Sequence, residues 1–397
     1  MTAPSPSSTA GGASGVAVMK SIRVVFVVVI AMVSVACSGV PTSSVPASPV
    51  SPTSAESGPA TTPDSTPPTP GITFRALDLP ADYSRGSAEA VDGTTAVGWV
   101  QVGLNDEQPA VWDTTTGVLR VLAVPERFVH PSGETFVRLV GVSGTTAVGT
   151  GILGTSERGQ SRSIAWNTET GDLRILDIPG DFMQAEARAI SGTTAVGQVT
   201  TAQGEVGRPV AWDTGTGAAR FLEVPAGYEW TNPTAVSGAT IVGTRTFQDF
   251  ALPLVWNPPT ADALDLDLLP STADAVPRAV DGTTAVGDCC FGEEGTPRPL
   301  VWDTGTGAVR QLDLPAPFAY GRAVGVSGTV VIGIADSKPL LWDLATGEAD
   351  VLPAPAGYEE ESGVNAVSGR TIVGSACEPP PSSSENPRCV AAAWTLP

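Results

Sequence analysis

The chain has 397 residues, of which 42% are hydrophobic and 16% are charged, so it is long enough to bury a large core and is not disordered as a whole. Its formal net charge of −20 argues against nucleic acids and anionic membrane surfaces as partners, because both require clustered lysine and arginine. These numbers indicate an acidic globular protein with one large domain or two domains of ordinary size.

Residues 1–36 are predicted to be a signal segment. The residues before Met19 carry no charge and are expected to be an upstream extension, with Met19 the more natural start. Two basic residues then precede an apolar run of twelve residues, 24–35, and Cys37 follows. This order is typical of an export signal, and the run is shorter than the roughly 20 residues that a membrane-spanning helix needs.

The segment Val35-Ala36-Cys37-Ser38-Gly39 resembles the cleavage site of bacterial lipoproteins. The resemblance implies cleavage before Cys37 and lipidation of that cysteine, and an uncleaved anchor extending to Val40 is the alternative. The protein is therefore expected at the cell membrane, facing the extracellular side, with a lipid anchor as its only contact with the membrane.

Residues 37–70 are predicted to be a disordered linker. From residue 38 onward the composition is almost entirely Ser, Thr, Pro, Ala, Val and Gly, which cannot bury a core. An extended linker of this length would reach on the order of 100 Å. It is expected to hold a folded domain away from the membrane.

The remaining chain is a repeat with seven copies of a motif such as GVSGTTAVG. A variable loop and a tryptophan segment such as PVAWDTGTG follow each copy. The motif copies end at Gly98, Gly149, Gly197, Gly243, Gly287, Gly333 and Gly374. The marker tryptophans are Trp112, Trp166, Trp212, Trp256, Trp302, Trp342 and Trp394.

Within each unit the apolar residues form short β-branched runs bounded by Gly, Asp, Ser or Pro, without helical periodicity, which indicates strands. A unit of about 47 residues is predicted to supply four strands, the spacing of a β-propeller blade. In the fifth unit these strands are predicted at residues 279–280, 283–286, 300–303 and 309–314.

The two ends of this repeat region are predicted to complete each other. The seventh unit stops at AAAWTLP, with no fourth strand after Trp394, while residues 72–80 (ITFRALDLP) precede the first motif copy and match VRQLDLP at residues 309–315. We therefore expect the N-terminal segment to supply the missing strand, which also removes an exposed sheet edge. The predicted fold class is an all-β, seven-bladed propeller over residues 71–397, closed by an N-terminal strand.

The order strand, Trp-Asp, turn, Thr-Gly and strand, as in residues 301–314, is similar to the outer hairpin of WD-repeat propellers. The rhythm of GVSGTTAVG followed by W-D-x-x-T-G resembles the HAF-type extracellular repeats of bacterial secreted proteins more closely. The resemblance covers residues 71–397 and implies a propeller and an extracellular location, but no chemistry. The Gly-His dipeptide of WD repeats is missing, so their histidine-centred network is not expected.

Asp-Thr-Gly occurs twice, at Asp213 and Asp303, and this tripeptide carries the catalytic carboxylate of aspartic proteases. Both aspartates align, however, with Asp113, Asp343 and Asn167 of other units, where the following residues differ. An Asp or Asn at this position is expected to accept hydrogen bonds from backbone N–H groups of its own turn. The tripeptide is therefore interpreted as a hairpin turn.

Four arginines are predicted to occupy equivalent places before the first strand of a blade, nearest the propeller axis. They are Arg138, Arg188, Arg278 and Arg322, with Glu89, Thr234 and Asn365 in the other units. Facing the channel, they would form a cationic ring able to hold a carboxylate or a phosphate. The alternative is that each arginine pairs with an acid or stacks on a neighbouring ring.

The cysteines are consistent with export. Cys377 and Cys389 bracket the long loop of the last unit and are predicted to form a disulfide. Cys289 and Cys290 are adjacent, and the sequence leaves open whether they bridge each other, stay free or link to another molecule.

No catalytic, cofactor or metal motif is recognised. His130 is the only histidine, and no G-x-S-x-G nucleophile elbow occurs. Trp99 and Trp230 do not repeat, so they are candidates for a binding surface.

The predicted function is a monomeric binding module for an extracellular protein, a cell-wall polysaccharide or a small anion. The alternative is a hydrolase or lyase that uses two carboxylates at the channel mouth.

Overall fold

The computed structural model describes residues 71–397 apart from short gaps. The gaps are residues 104–105, 155–159, 202–206, 225–229, 248–249, 258–261, 271, 291–295, 355–356, 359–360 and 380–386. The predicted signal segment and linker, residues 1–70, lie outside the described residues. Within the described residues, no helix is long and apolar enough to cross a membrane.

The described chain forms seven four-stranded antiparallel sheets, the blades of a β-propeller. Blade 1 contains β2 (Arg85–Asp92), β3 (Thr95–Val102), β4 (Asp106–Asp113) and β5 (Leu119–Val121). Blade 2 contains β6 (Val137–Ser143), β7 (Thr146–Ile152), β8 (Ser161–Asn167) and β9 (Leu173–Ile175). Blade 3 contains β10 (Gln184–Ser191), β11 (Thr194–Thr200), β12 (Gly207–Asp213) and β13 (Ala219–Phe221). Blade 4 contains β14 (Trp230–Ser237), β15 (Thr240–Phe247), β16 (Phe250–Asn257) and β17 (Asp262–Asp265).

Blade 5 contains β18 (Ala275–Asp281), β19 (Thr284–Cys289), β20 (Arg298–Asp303) and β21 (Val309–Gln311). Blade 6 contains β22 (Gly321–Ser327), β23 (Val330–Ala335), β24 (Lys338–Asp343) and β25 (Ala349–Val351). Blade 7 contains β26 (Glu361–Ser368), β27 (Thr371–Cys377), β28 (Cys389–Thr395) and, as its fourth strand, β1 (Thr73–Ala76). A 3-10 turn, Glu126–Phe128, lies between blades 1 and 2.

The N-terminal strand closes the ring, as the sequence predicts. In the antiparallel pair of β1 and β28, Thr73 lies opposite Thr395 and Ala76 opposite Ala392. The ring of Phe74 meets the marker Trp394 edge-on at 5.3 Å between centroids. Blade 7 is therefore assembled from both ends of the repeat region.

The hydrophobic core lies between the blades. The described apolar residues form seven clusters, and each cluster joins two neighbouring blades. Every marker tryptophan is at most 2% exposed. Six of their indole N–H groups donate to a carbonyl near the outer strand of the preceding blade, as Trp112 Nε1 does to Asp78 O (3.0 Å). Trp166 differs, because its indole donates to Gly171 O in its own turn (3.0 Å).

The first strands surround the axis, since each contacts the first strands of both neighbouring blades. We call the end of the channel where these strands begin the loop end, and the end where they turn into the second strands the turn end. At the turn end each first strand finishes with Ser or Asp before a glycine. That glycine donates its N–H to the Ser or Asp of the preceding blade, at 2.7–3.2 Å in all seven blades.

The last residue of every motif copy must be glycine, because the backbone of the first strand approaches it closely. A Cβ atom on any of these seven glycines would lie 1.9–2.2 Å from a carbonyl oxygen of the first strand. The first strand carries a bulge at this level in every blade. The bulge brings the two backbones together, so a side chain has no room.

The predicted bounds of all four strands of blade 5 differ from the observed ones, and the second and third strands are Thr284–Cys289 and Arg298–Asp303. The first strand is not 279–280 but Ala275–Asp281, because the bulge at Arg278 interrupts the alternation by which a strand is recognised. The fourth strand stops at Gln311 instead of continuing to residue 314. Beyond it, the carbonyl of Asp313 is already bonded to Trp342 of blade 6 (2.7 Å).

The ring of turn-end hydrogen bonds leads to a stability prediction. Asp92→Ala removes the acceptor of Gly144 N–H (2.7 Å) and should lower the free energy of unfolding by about 1 kcal/mol in chemical denaturation. Asp92→Ser is the matched control, since serine fills this position in five blades and should preserve most of the stability. Equal losses in both variants would contradict the acceptor role.

Candidate functional site

The four predicted arginines lie within first strands, not before them, and at two different positions. Arg138 and Arg322 stand six residues before the turn glycine of their blade, whereas Arg188 and Arg278 stand four residues before it. The prediction of equivalent places was therefore wrong. Arg188 and Arg278 are the unpaired residues of the bulge, whereas Arg138 and Arg322 stand two residues before it.

Arg138 bridges blades 1 and 2. Its guanidinium donates two hydrogen bonds to the carboxylate of Glu107, and it stacks over the ring of Trp99 at 5.5 Å. The indole N–H of Trp99 donates to Glu89 (2.9 Å). The hydrogen bond with Glu107 holds the pKa of Arg138 above its usual range, even though burial acts in the opposite direction. Trp99 and Arg138 are thus brought together in one packed network.

Arg278 is paired with Asp288, whose side chain is only 1% exposed. Burial raises the pKa of the Asp288 carboxyl above its ordinary value, and the nearby guanidinium groups of Arg278 and Arg322 partly oppose this shift. Arg188 has a longer contact, 3.4 Å, with Glu186 of its own strand. Three of the four predicted arginines therefore lie against a carboxylate.

The other residues predicted at these places are also engaged at blade junctions. Asn365 donates to Ala88 O of blade 1 (2.9 Å), and Thr234 donates to Pro277 O of blade 5 (2.6 Å). Trp230 is half-buried, and its ring covers Gly207 of blade 3, where a Cβ atom would lie 2.7 Å from Cζ3. Trp99 and Trp230 lie in separate parts of the ring, and both contact the neighbouring blade.

The two Asp-Thr-Gly tripeptides are hairpin turns, as interpreted. Asp303 Oδ1 accepts hydrogen bonds from Gly305 N (2.9 Å) and Thr306 N (2.8 Å). Asp213 accepts from Thr216 N and its hydroxyl (2.7 and 2.8 Å), and Asn167 makes the same kind of contact with Thr170 N. Hydrogen bonds from the turn hold the pKa of Asp213 and of Asp303 below the ordinary value of 3.8.

The structure joins Cys377 and Cys389 in a disulfide at the base of the last long loop. Cys289 and Cys290 have free thiols, and Cys289 is buried. Burial and the thiol of Cys290 raise the pKa of Cys289 to about 12. His130 is exposed, with Nδ1 2.8 Å from the hydroxyl of Ser132 in its own loop. Cys37 lies outside the described residues.

A cavity of about 470 Å³ opens where blade 7 meets blade 1, at the loop end of the strands. We call it the seam pocket. Blade 1 and the segment before it contribute Tyr83, Ser84, Arg85 and Gln101, and blade 7 contributes Pro387 and Arg388. Arg85 is half-buried and Arg388 is exposed. The pocket is therefore formed by residues about 300 positions apart in the sequence.

The charged side chains that line the seam pocket are arginines. Two arginines line it, and none of its described lining residues is acidic. Their recorded hydrogen bonds go to neutral carbonyls, from Arg85 Nη2 to Pro387 O (3.2 Å) and from Arg388 Nη2 to Leu79 O (3.0 Å). Such bonds orient a guanidinium but leave its charge available to an anion.

No motif of the sequence indicates this pocket. Arg85 and Arg388 occupy positions where the other units have no common residue, and neither belongs to a motif. The available signal was that the two ends of the repeat region meet, which makes non-repeating residues near both ends neighbours in space.

No protein-family model matches the sequence, and no curated protein matches it. Among solved structures, the β-propeller domain of the Trilobed protease from Pyrococcus furiosus is similar, with 11% identity, coverage of 80% of this chain and 94% of that chain, and a TM-score of 0.51. That propeller has an open velcro topology, whereas β1 pairs with β28 here. Oligogalacturonate lyase in complex with manganese is similar at 11% identity, with coverage of 82% and 97% and a TM-score of 0.50.

These likenesses show the fold. At such identities they carry no activity to this chain, and the resemblance to HAF-type repeats and to lipoproteins stays a prediction.

The turn aspartates lead to a prediction on pH. Because the pKa values of Asp113, Asp213 and Asp303 are lowered in the folded chain, the stability they contribute is present above about 3.8 and lost as pH falls through the folded values. A variant with asparagine at all three positions should keep its melting temperature near neutral pH and lose less of it on acidification to about pH 3. Asparagine accepts the same hydrogen bonds without titrating, as Asn167 does.

The control for this experiment is Asp350→Asn, at an exposed aspartate on β25. It should follow the wild type. Identical acid sensitivity of the triple variant and the wild type would refute the contribution of the turns.

Proposed function

We propose that this protein is an exported, lipid-anchored binding module that holds a small extracellular ligand in the seam pocket through a carboxylate of the ligand. The observation that carries the proposal is the pair of arginines in a pocket without a described acidic lining residue. On a chain with a formal net charge of −20, such a local excess of positive charge is selective for an anionic group.

The chemistry of the lining favours a carboxylate on a small polar molecule. A guanidinium presents planar N–H donors that match the two oxygens of a carboxylate. Tyr83 and Pro387 add a less polar surface, and Ser84 adds a hydroxyl. A long acidic polymer would be repelled by the rest of the surface, so a short or monomeric ligand fits better.

The alternative function, a hydrolase or lyase at the channel mouth, requires two available carboxylates. Three of the described acids that lie on or beside first strands are held by partners instead. Glu107 is bonded by Arg138, Asp288 by Arg278, and Glu89 by the indole of Trp99. This pairing favours binding over acid–base chemistry.

Ligand titration tests the proposal. The unlipidated chain, residues 37–397 with Cys37→Ser, is titrated with D-galacturonate and, as the neutral match, D-galactose. Galacturonate is a suitable probe because oligogalacturonate lyase shares the propeller fold. We expect galacturonate to bind and galactose not to bind. Arg388→Ala should weaken binding about tenfold, the effect of losing a charge-assisted hydrogen bond.

Arg220→Ala is the matched control, since Arg220 is an exposed arginine on the outer strand of blade 3. Equal binding of both sugars, or unchanged affinity in Arg388→Ala, would refute the assignment. Chromatography of oligogalacturonate after incubation covers the alternative, because shortened products would indicate an enzyme.

The anchor is tested by fractionation and fatty-acid labelling of cells that express the full chain. Cys37→Ser should abolish incorporation of a labelled fatty acid, because the thiol that would carry the lipid is lost. Ser38→Ala is the control and should keep the label and remain with the membrane. A wild-type chain that stays in the membrane fraction without the label would instead support the uncleaved anchor.

A further inference from the structure

The segment that joins β1 to blade 1, residues 77–80, is held from both sides of the seam. We call it the latch segment. On the blade 7 side, Leu77 N donates to Ala391 O (2.8 Å). On the blade 1 side, Asp78 N donates to Gly117 O (2.9 Å), and the carbonyl of Asp78 accepts from the indole of Trp112 (3.0 Å). The latch segment is thus the part of the chain through which blade 7 and blade 1 are tied together.

Arg388 contacts the latch segment and also lines the seam pocket. Its Nη2 donates to Leu79 O in the latch segment (3.0 Å), and its side chain lines the pocket. If β1 and the latch segment peel away, Arg388 loses the carbonyl that orients it. The opposite wall would change as well, because Tyr83 and Arg85 lie only a few residues after the latch segment.

The disulfide hairpin holds the backbone of Arg388 on the blade 7 side. Cys389 follows Arg388 directly, and Glu378 N, next to Cys377, donates to Arg388 O (2.9 Å). The backbone of Arg388 is thus held by the disulfide hairpin, while its guanidinium is bonded to the latch segment. Peeling of the latch segment would therefore dismantle one wall of the pocket and leave the other in place.

We propose that occupancy of the seam pocket locks the ring, so that the carboxylate ligand and the pairing of β1 with β28 stabilise each other. The proposal rests on the proposed function for the existence of the ligand and adds its coupling to closure. If the ligand binds only the closed form, linkage multiplies the ratio of closed to open molecules by one plus the ligand concentration divided by Kd.

This coupling has a direct consequence for an anchored protein. The predicted linker joins the propeller at Gly71, immediately before β1 (Thr73–Ala76). A pull on the linker therefore acts first on the strand that closes the ring. An occupied seam pocket would raise the resistance of that strand to peeling.

Amide hydrogen exchange of the chain used for the titration tests the lock. With D-galacturonate at ten times its Kd, exchange in β1 and at Leu77 should slow by about tenfold, because these amides exchange through local opening. The matched control is β13 (Ala219–Phe221), the outer strand of blade 3, which should not change. D-galactose should have no effect on either strand.

A locked variant provides the second arm. Thr73 and Thr395 are opposed in the β1–β28 pair and both are exposed, so Thr73→Cys with Thr395→Cys can form a disulfide across the closure. In this variant D-galacturonate should still bind but add no further protection to β1. Binding of D-galacturonate to the unlocked chain without slower exchange in β1 would overturn the lock and leave the proposed function intact. Absence of binding in the titration would remove both.

Discussion

The hydrogen bond between neighbouring blades at the turn end is the constraint on which the rest of the structure depends. Each glycine of that turn donates to the serine or aspartate of the preceding blade, and the last of these bonds runs from Gly93 back to Ser368. Because the set of seven is closed, every blade takes part in two of these bonds, once as donor and once as acceptor. The buried tryptophans add a second set at larger radius, and both position the loop end where the candidate site lies.

Much of the fold could be predicted because the residues that each structural contact requires recur in several units of the sequence. Three features could be predicted because the same contact recurs in nearly every blade. They are the closing strand, the marker tryptophans and the Asp turns. The arginines were wrongly assigned to equivalent places because the sequence pattern does not show where the bulge falls. Arg188 and Arg278 are the bulged residues of their strands, whereas Arg138 lies two residues before the bulge of blade 2.

The candidate site could not be predicted for a different reason. Symmetry determines the scaffold, but the seam pocket depends on residues that do not repeat, Arg85 and Arg388 among them. Their proximity follows from circular closure and from the loop that the disulfide of Cys377 and Cys389 holds. The sequence did predict that the two ends meet, but no motif indicated which of the non-repeating side chains near them would line a pocket.

The closeness of the two ends of the propeller has one more consequence. Gly71 lies against Pro397, and a Cβ atom added to the glycine would be 2.9 Å from the Cβ of that proline. The position at which the ring is interrupted is therefore not fixed by the fold. A short peptide could join residues 71 and 397, and new termini could be placed in a turn of another blade. Such a circular permutant would keep the seam pocket but have its terminal strand in another blade. Ligand binding and a pull on the terminus would then act on different blades.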